Sequence, residues 1–174
     1  MKEQIVNQTF DEERSLYNIS NTEVLNCTFA GEADGESVLK ECRKIDIKNC
    51  SFSLRYPLWH AKKFLLLDSS MDELTRAPLW YSVNGKIENC KIIGTQPLCY
   101  CKNLKLIHCT MESTDLSFEY SDVDADIIGH IISIKNPKSG TIIVDSVDEI
   151  IAEDAVMKCE GKVILRNQEV EKIA

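Results

Sequence analysis

The chain has 174 residues, 44% of them apolar, and carries 28 acidic against 20 basic residues for a net charge of −8. That length suffices for one domain with a sizeable core. The acidic balance argues against gripping a phosphate backbone, which needs a basic stripe, so no nucleic-acid partner is expected. No apolar run reaches the about 18 residues that cross a bilayer, so no membrane partner is expected either. Met1-Lys2-Glu3-Gln4 lacks the apolar stretch of a secretory leader, and the expected location is cytoplasmic. The eight cysteines then read as reduced thiols.

In chain order, residues 1–15 read as a lead-in half coil and N-terminal cap, with Ile5, Asn7 and Phe10 in the same spacing as Val24, Asn26 and Phe29. Residues 16–130 read as regular coils. Stretches beginning at Leu16, Leu39, Leu58, Leu79, Leu98 and Ser117 recur about every twenty residues. In each, a position further on holds Val24, Ile47, Leu66, Ile87, Leu106 or Ala125. Next comes Cys27, Cys50, Ser69, Cys90, Cys109 or Ile128, then Phe29, Phe52, Met71, Ile92, Met111 or His130. A fixed period of this size means a solenoid, whose apolar side chains are buried only when coils stack.

Within a coil the apolar spacing is two, as in Ile45-x-Ile47 and Leu104-x-Leu106, which is strand behaviour. Pro57, Pro78 and Pro97 each precede a repeat start, where proline opens a strand without losing a ladder bond. Just before the Cys position stand Asn26, Asn49, Asp68, Asn89 and His108. Asn and Asp tolerate left-handed backbone and can bond to one another when stacked, so this column reads as a structural corner. Residues 131–174 read as less regular coils and a cap. The loop Asn136 to Gly140 interrupts them, Ile142, Val144, Val163 and Leu165 continue the stack, and Glu169 to Lys172 cover an open end. The expected fold is all-β: one domain over 1–174, a single-stranded right-handed parallel β-helix of seven or eight coils.

The wording of the chain resembles a known family. Asn7-Gln-Thr-Phe-Asp-Glu-Glu-Arg-Ser-Leu-Tyr17, Leu54-Arg-Tyr-Pro-Leu-Trp-His60, Asn89 to Cys101 and Phe118 to Val123 are similar to a bacterial family of uncharacterised, pectin-lyase-like parallel β-helix proteins, classified only as a domain of unknown function. The resemblance implies the fold and no activity. Members of that family look longer, and here the pattern jumps from Leu79-Trp80-Tyr81 to Val83-Asn84-Gly85-Lys86-Ile87. The chain therefore reads as a shortened member with its junction near residues 81–86. Any functional site in the lost coils would be missing.

Two places could carry function. Tyr17, Trp59, Trp80 and Phe118 fall in one column, and His60, Tyr81 and Tyr100 in the next, flanked by Glu41 and Glu119. If this segment is a strand, one column faces out. Trp59, His60, Trp80, Tyr81 and Tyr100 are therefore candidates for a ligand or partner surface, open to a sugar platform, a homo-oligomer contact or plain packing. Asp122, Asp124 and Asp126 alternate with Val123 and Ala125 and form a candidate acidic face. Cys99-x-Cys101 and His108-Cys109 lack the spacing of zinc modules, and no metal or cofactor is assigned. The acid pairs and Gly-His-Gly of β-helix pectinases are absent; Gly129-His130-Ile131 lacks its second glycine. The reading is a scaffold with a binding or assembly surface, self-association through a coil end or the aromatic face, and no recognisable catalytic motif. A carbohydrate-active hydrolase or lyase is the alternative.

Overall fold

Alternation at spacing two buries every second residue of a strand, and stacking at the coil period puts like on like. The computed structural model describes residues 1–166 and the backbone strand Val170–Lys172. It is a right-handed parallel β-helix. Along its main face the strands Glu3–Val6, Ser20–Leu25, Arg43–Lys48, Lys62–Leu67, Val83–Glu88, Lys102–Thr110, Val123–Ile128, Thr141–Val144 and Lys162–Leu165 pair in parallel, each with the next. That gives about nine turns rather than seven or eight. The stretch expected as a half coil, residues 1–15, carries two strands of its own, Glu3–Val6 and Thr9–Phe10, and also donates backbone N–H groups from Asn7 and Arg14 to the carbonyls of Leu25 and Glu36 in the next coil.

The core is a set of columns. Ile5, Val24, Ile47, Leu66, Ile87, Leu106, Ala125, Ile142 and Val163 follow one another in register, and all but Ile5 are buried. A second side stacks Phe10, Phe29, Phe52, Met71 and Ile92. Its first three rings lie 5.6 and 4.6 Å apart. Each such side chain, fully buried, contributes about 1.5–3 kcal/mol over leaving it in water. The cysteine column belongs to this core. The thiols of Cys27, Cys50, Cys90 and Cys109 donate to the carbonyls of Ile5, Val24, Leu66 and Ile87 at 3.5–3.7 Å. Burial pushes Cys50 and Cys90 up to about 11 and about 12.

The third side is made of turns yet keeps a parallel ladder. Leu39, Leu58 and Leu79 donate to the carbonyls of Pro57, Pro78 and Pro97 at 2.9–3.0 Å. At that column the ladder takes only carbonyls, which is why proline fits.

Two expectations shift by one residue. A bulge between Leu106 and Cys109 pairs Cys109 with Ile127 and Thr110 with Ile128. Ile127, not Ile128, fills the buried cysteine position, Ile128 is 45% exposed, and His130 leaves the Phe/Met column. The cause is that His108 makes a left-handed corner that the following strand runs straight through. In the same coil Cys99 bridges Glu119, so the sixth stretch begins at Phe118, fully buried, rather than Ser117.

Gly85 occupies an inward position between Phe64 and Leu104. A Cβ there would lie 2.3 Å from the Phe64 ring. The large ring fills the space that the glycine vacates, and the ladder runs through this coil unbroken. Beyond residue 130 the turn side becomes true strand, with His130–Lys135 parallel to Ser146–Ile151. Val170–Lys172 pairs antiparallel with Lys162, Val163 and Ile164. That covers part of the final edge, while Glu169 lies outside the described residues.

Candidate functional site

A residue with φ near +55° turns the chain and breaks strand alternation. The coils use such residues in columns: Ser37, Tyr56, Ala77 and Gln96; Glu41, His60, Tyr81, Tyr100 and Tyr120; Lys44, Lys63, Asn84 and Asn103; Asn26, Asn49, Asp68, Asn89 and His108. The last is the expected polar corner. Asn26, Asn49, Asp68 and Asn89 donate their backbone N–H groups to the next coil, and Asn49 Nδ2 donates to Asn26 Oδ1 at 2.7 Å.

The aromatic columns sit on another corner. This segment is not a strand, so the two columns do not face opposite ways. Leu58 and Ala61 point into the core, and left-handed His60 leaves both Trp59 and His60 on the outside. The same holds for Trp80 and Tyr81. The rings join into one ribbon. His60 stacks on Tyr81 at 4.9 Å, Tyr81 on Tyr100 at 5.4 Å, and Tyr100 lies over Tyr120 at 5.2 Å. Trp59 stacks on Trp80 at 5.4 Å, and Trp80 meets Tyr81 edge-on at 6.3 Å. All five sequence candidates therefore come together, and two members were missed. Tyr56, tilted against Trp59 at 4.6 Å, belongs to a different left-handed column. Tyr120 follows Tyr100 by twenty residues rather than nineteen, a step that a fixed count hides.

The geometry limits what this ribbon can do. Stacked rings cover one another's faces and present edges to solvent, whereas a sugar ring docks on an open face. Trp59 Nε1 donates to Ala77 O at 2.5 Å and Trp80 Nε1 to Gln96 O at 2.7 Å, so both indole N–H groups are spent on the neighbouring coil. Tyr81 is 39% exposed. At the N-terminal end, Tyr17 donates to Glu41 Oε2 at 2.6 Å, and Arg14 lies 5.5 Å over the Tyr17 ring. That hydrogen bond raises the Tyr17 phenol and lowers the Glu41 carboxyl. Phe118 is inside the core and Glu119 is buried opposite Cys99, 3.4 Å from Lys135 Nζ.

The three aspartates lie outward as alternation requires, but each serves a different partner. Asp122 accepts from Asn103 N at 3.2 Å and Ser139 Oγ at 2.9 Å. Asp124 accepts from Thr141 N at 3.0 Å. Asp126 pairs with Arg166, which also holds Asp145, and lies 3.5 Å from His108 Nδ1. Accepting from Gly129 N and from Arg166 keeps the Asp145 carboxyl below its ordinary range. Cys101 donates to Leu79 O at 2.7 Å, in another part of the coil from Cys109. Among the described residues no group of three His, Cys, Asp or Glu side chains could hold a metal ion. No helix among them is long and apolar enough to cross a membrane.

A family described as "Protein of unknown function (DUF3737)" matches residues 3–92 and 83–165. No curated protein matches the chain. Among solved structures, a trypsin-treated form of QnrB1, described as a plasmid-mediated fluoroquinolone resistance protein, is similar at 11% identity with a TM-score of 0.32. The likeness covers 94% of this chain and 92% of that one. At that score nothing is carried over from it.

Proposed function

The chain belongs to the DUF3737 family of proteins of unknown function, and from that premise we propose that it is a rigid, non-catalytic β-helix scaffold whose aromatic corner docks a second copy of itself. The observation that carries this is the unbroken ring stack His60, Tyr81, Tyr100 and Tyr120 at left-handed positions. Such backbone costs a residue with a Cβ about 1–2 kcal/mol, and the coil geometry alone would favour Asn or Gly there. Edge-on tyrosine and histidine suit a protein contact, where aromatic residues are enriched.

The test is the mass of the protein in solution by light scattering. A dimer is expected. A monomer whose melting temperature rises with oligosaccharides would replace this reading with a sugar platform. A hydrolase or lyase would need two carboxylates across a cleft, and the hydrogen bonds of Asp122 and Asp124 give them structural work instead.

The same proposal places the chain in a bacterial cytoplasm, supported by eight free cysteines, seven of them buried. It also takes the likeness to pectin lyases as one of shape, and the chain as a shortened member. The two family matches overlap over 83–92, beside the expected junction and across Gly85.

A further inference from the structure

The chain is acidic overall but not in its middle, where residues 40–109 hold 12 basic against 6 acidic side chains, and winding it up collects lysines on one face. On the main sheet, Arg43 lies in register with Lys62, and Lys86 with Lys105. Lys44, Lys63 and Lys102 are exposed beside them. These seven cations stand on four consecutive rungs, from Arg43–Lys48 to Lys102–Thr110. At a strand spacing of about 4.8 Å the patch is roughly 15 Å long. The two acids within it are already taken: Asp46 pairs with Lys2 at 2.8 Å and Glu88 with Lys86 at 3.1 Å. Elsewhere Arg55, Lys135 and Arg166 find carboxylates, and the cations that do not are scattered singly. Among the described residues, Lys44, Lys62, Lys63, Lys102 and Lys105 have none within ion-pair distance. A depression of about 420 Å³ lies at its centre, lined by Lys63, Lys86, Lys105, Asn84, Asn103 and Leu65 among others.

We propose that this face docks an acidic, partly apolar segment of a partner protein. Five unpaired ammonium groups in a chain of net charge −8 ask for external anions. Three features select a short peptide over a nucleic acid. The patch is closed at one end by Asp124, in register with Lys105 on the following rung and held by a backbone N–H rather than a cation, which would repel a polyanion running along the axis. No Phe, Tyr or Trp ring stands among its outward residues to stack a base. Half-buried Leu65, Leu67 and Ile107 lie among or beside the lysines, where apolar side chains between carboxylates would settle. This surface is separate from the aromatic corner, and either can fail without the other.

The probe is a synthetic peptide of alternating Glu and Leu, titrated into the full chain by fluorescence anisotropy. Binding is expected, weakened at least about tenfold in Lys63→Glu/Lys105→Glu and lost near 1 M salt, where screening acts within about 3 Å. Lys63→Gln/Lys105→Gln, which adds no repulsion, should weaken it less. Four results would overturn the proposal: no binding, binding indifferent to both variants, tighter binding of a single-stranded oligonucleotide, or a variant that alters the oligomeric state of the free protein. The last would mean that the acids of a second copy occupy the face.

Discussion

Two corners of the same solenoid solve the same backbone problem with opposite chemistry. At the corner of Asn26, Asn49, Asp68 and Asn89, the left-handed turn is taken by residues that tolerate it. At the corner of His60, Tyr81, Tyr100 and Tyr120 the same conformation is imposed on rings that gain nothing from it locally. The first column is explained by the chain's need to turn. The second is explained only by what the rings make together, a stack along the axis whose neighbouring pairs are worth about 0.5–1.5 kcal/mol each. The turn itself serves the fold, since His60, Tyr81, Tyr100 and Tyr120 donate their backbone N–H groups to the next coil; the rings placed on it are what the turn does not require, and they are a reason to look for a use at the surface.

The largest effect is expected where backbone need alone selects the residue. Asn49→Val puts a β-branched side chain into left-handed backbone and removes the bond to Asn26. It should cost about 2–3 kcal/mol by urea denaturation, whereas Asn49→Gly should cost under about 1 kcal/mol. Tyr81→Asn should cost no more than about 1 kcal/mol, because relief of the left-handed strain offsets the lost stacking. If Tyr81→Asn is as damaging as Asn49→Val, the two corners are alike and the aromatic one is structural.

A smaller effect separates the thiols beside the Asn corner from ordinary surface groups. An unfolded thiol ionises near pH 8.5, while burial holds Cys50 and Cys90 up to about 11 and about 12. Their contribution is complete below about pH 8.5 and is lost as pH rises through the folded values. The unfolding midpoint should therefore fall in alkali, and Cys90→Ser, the residue already used at Ser69, should make that fall shallower. The smallest expected change is at the acidic face. Asp124→Asn keeps an oxygen for Thr141 N and should leave the melting temperature within a few degrees.

Much of this was legible because a solenoid repeats its signals. The column from Val24 to Leu106 could be read from spacing alone, since burial in a stacked coil depends on neighbours one period away. Tyr120 and Ile127 escaped because the sixth coil redistributes a residue between corner and strand, which a fixed period cannot show. Strand logic would put the two aromatic columns on opposite faces if the segment were a strand; it is a turn, and left-handed His60 and Tyr81 put both outside. The lysine face was hidden in part by the overall charge of −8, which masks the basic excess of residues 40–109. Its members come from segments about twenty residues apart, and only winding brings them together.

The most direct measurement is sedimentation velocity over a concentration series of the wild-type chain and of Tyr81→Asn/Tyr100→Asn, with circular dichroism as a check on folding. The aromatic corner as a contact surface predicts a wild type that moves from monomer to dimer and a folded double variant that stays monomeric. A wild type that remains monomeric throughout, or a double variant that associates equally well, would contradict it.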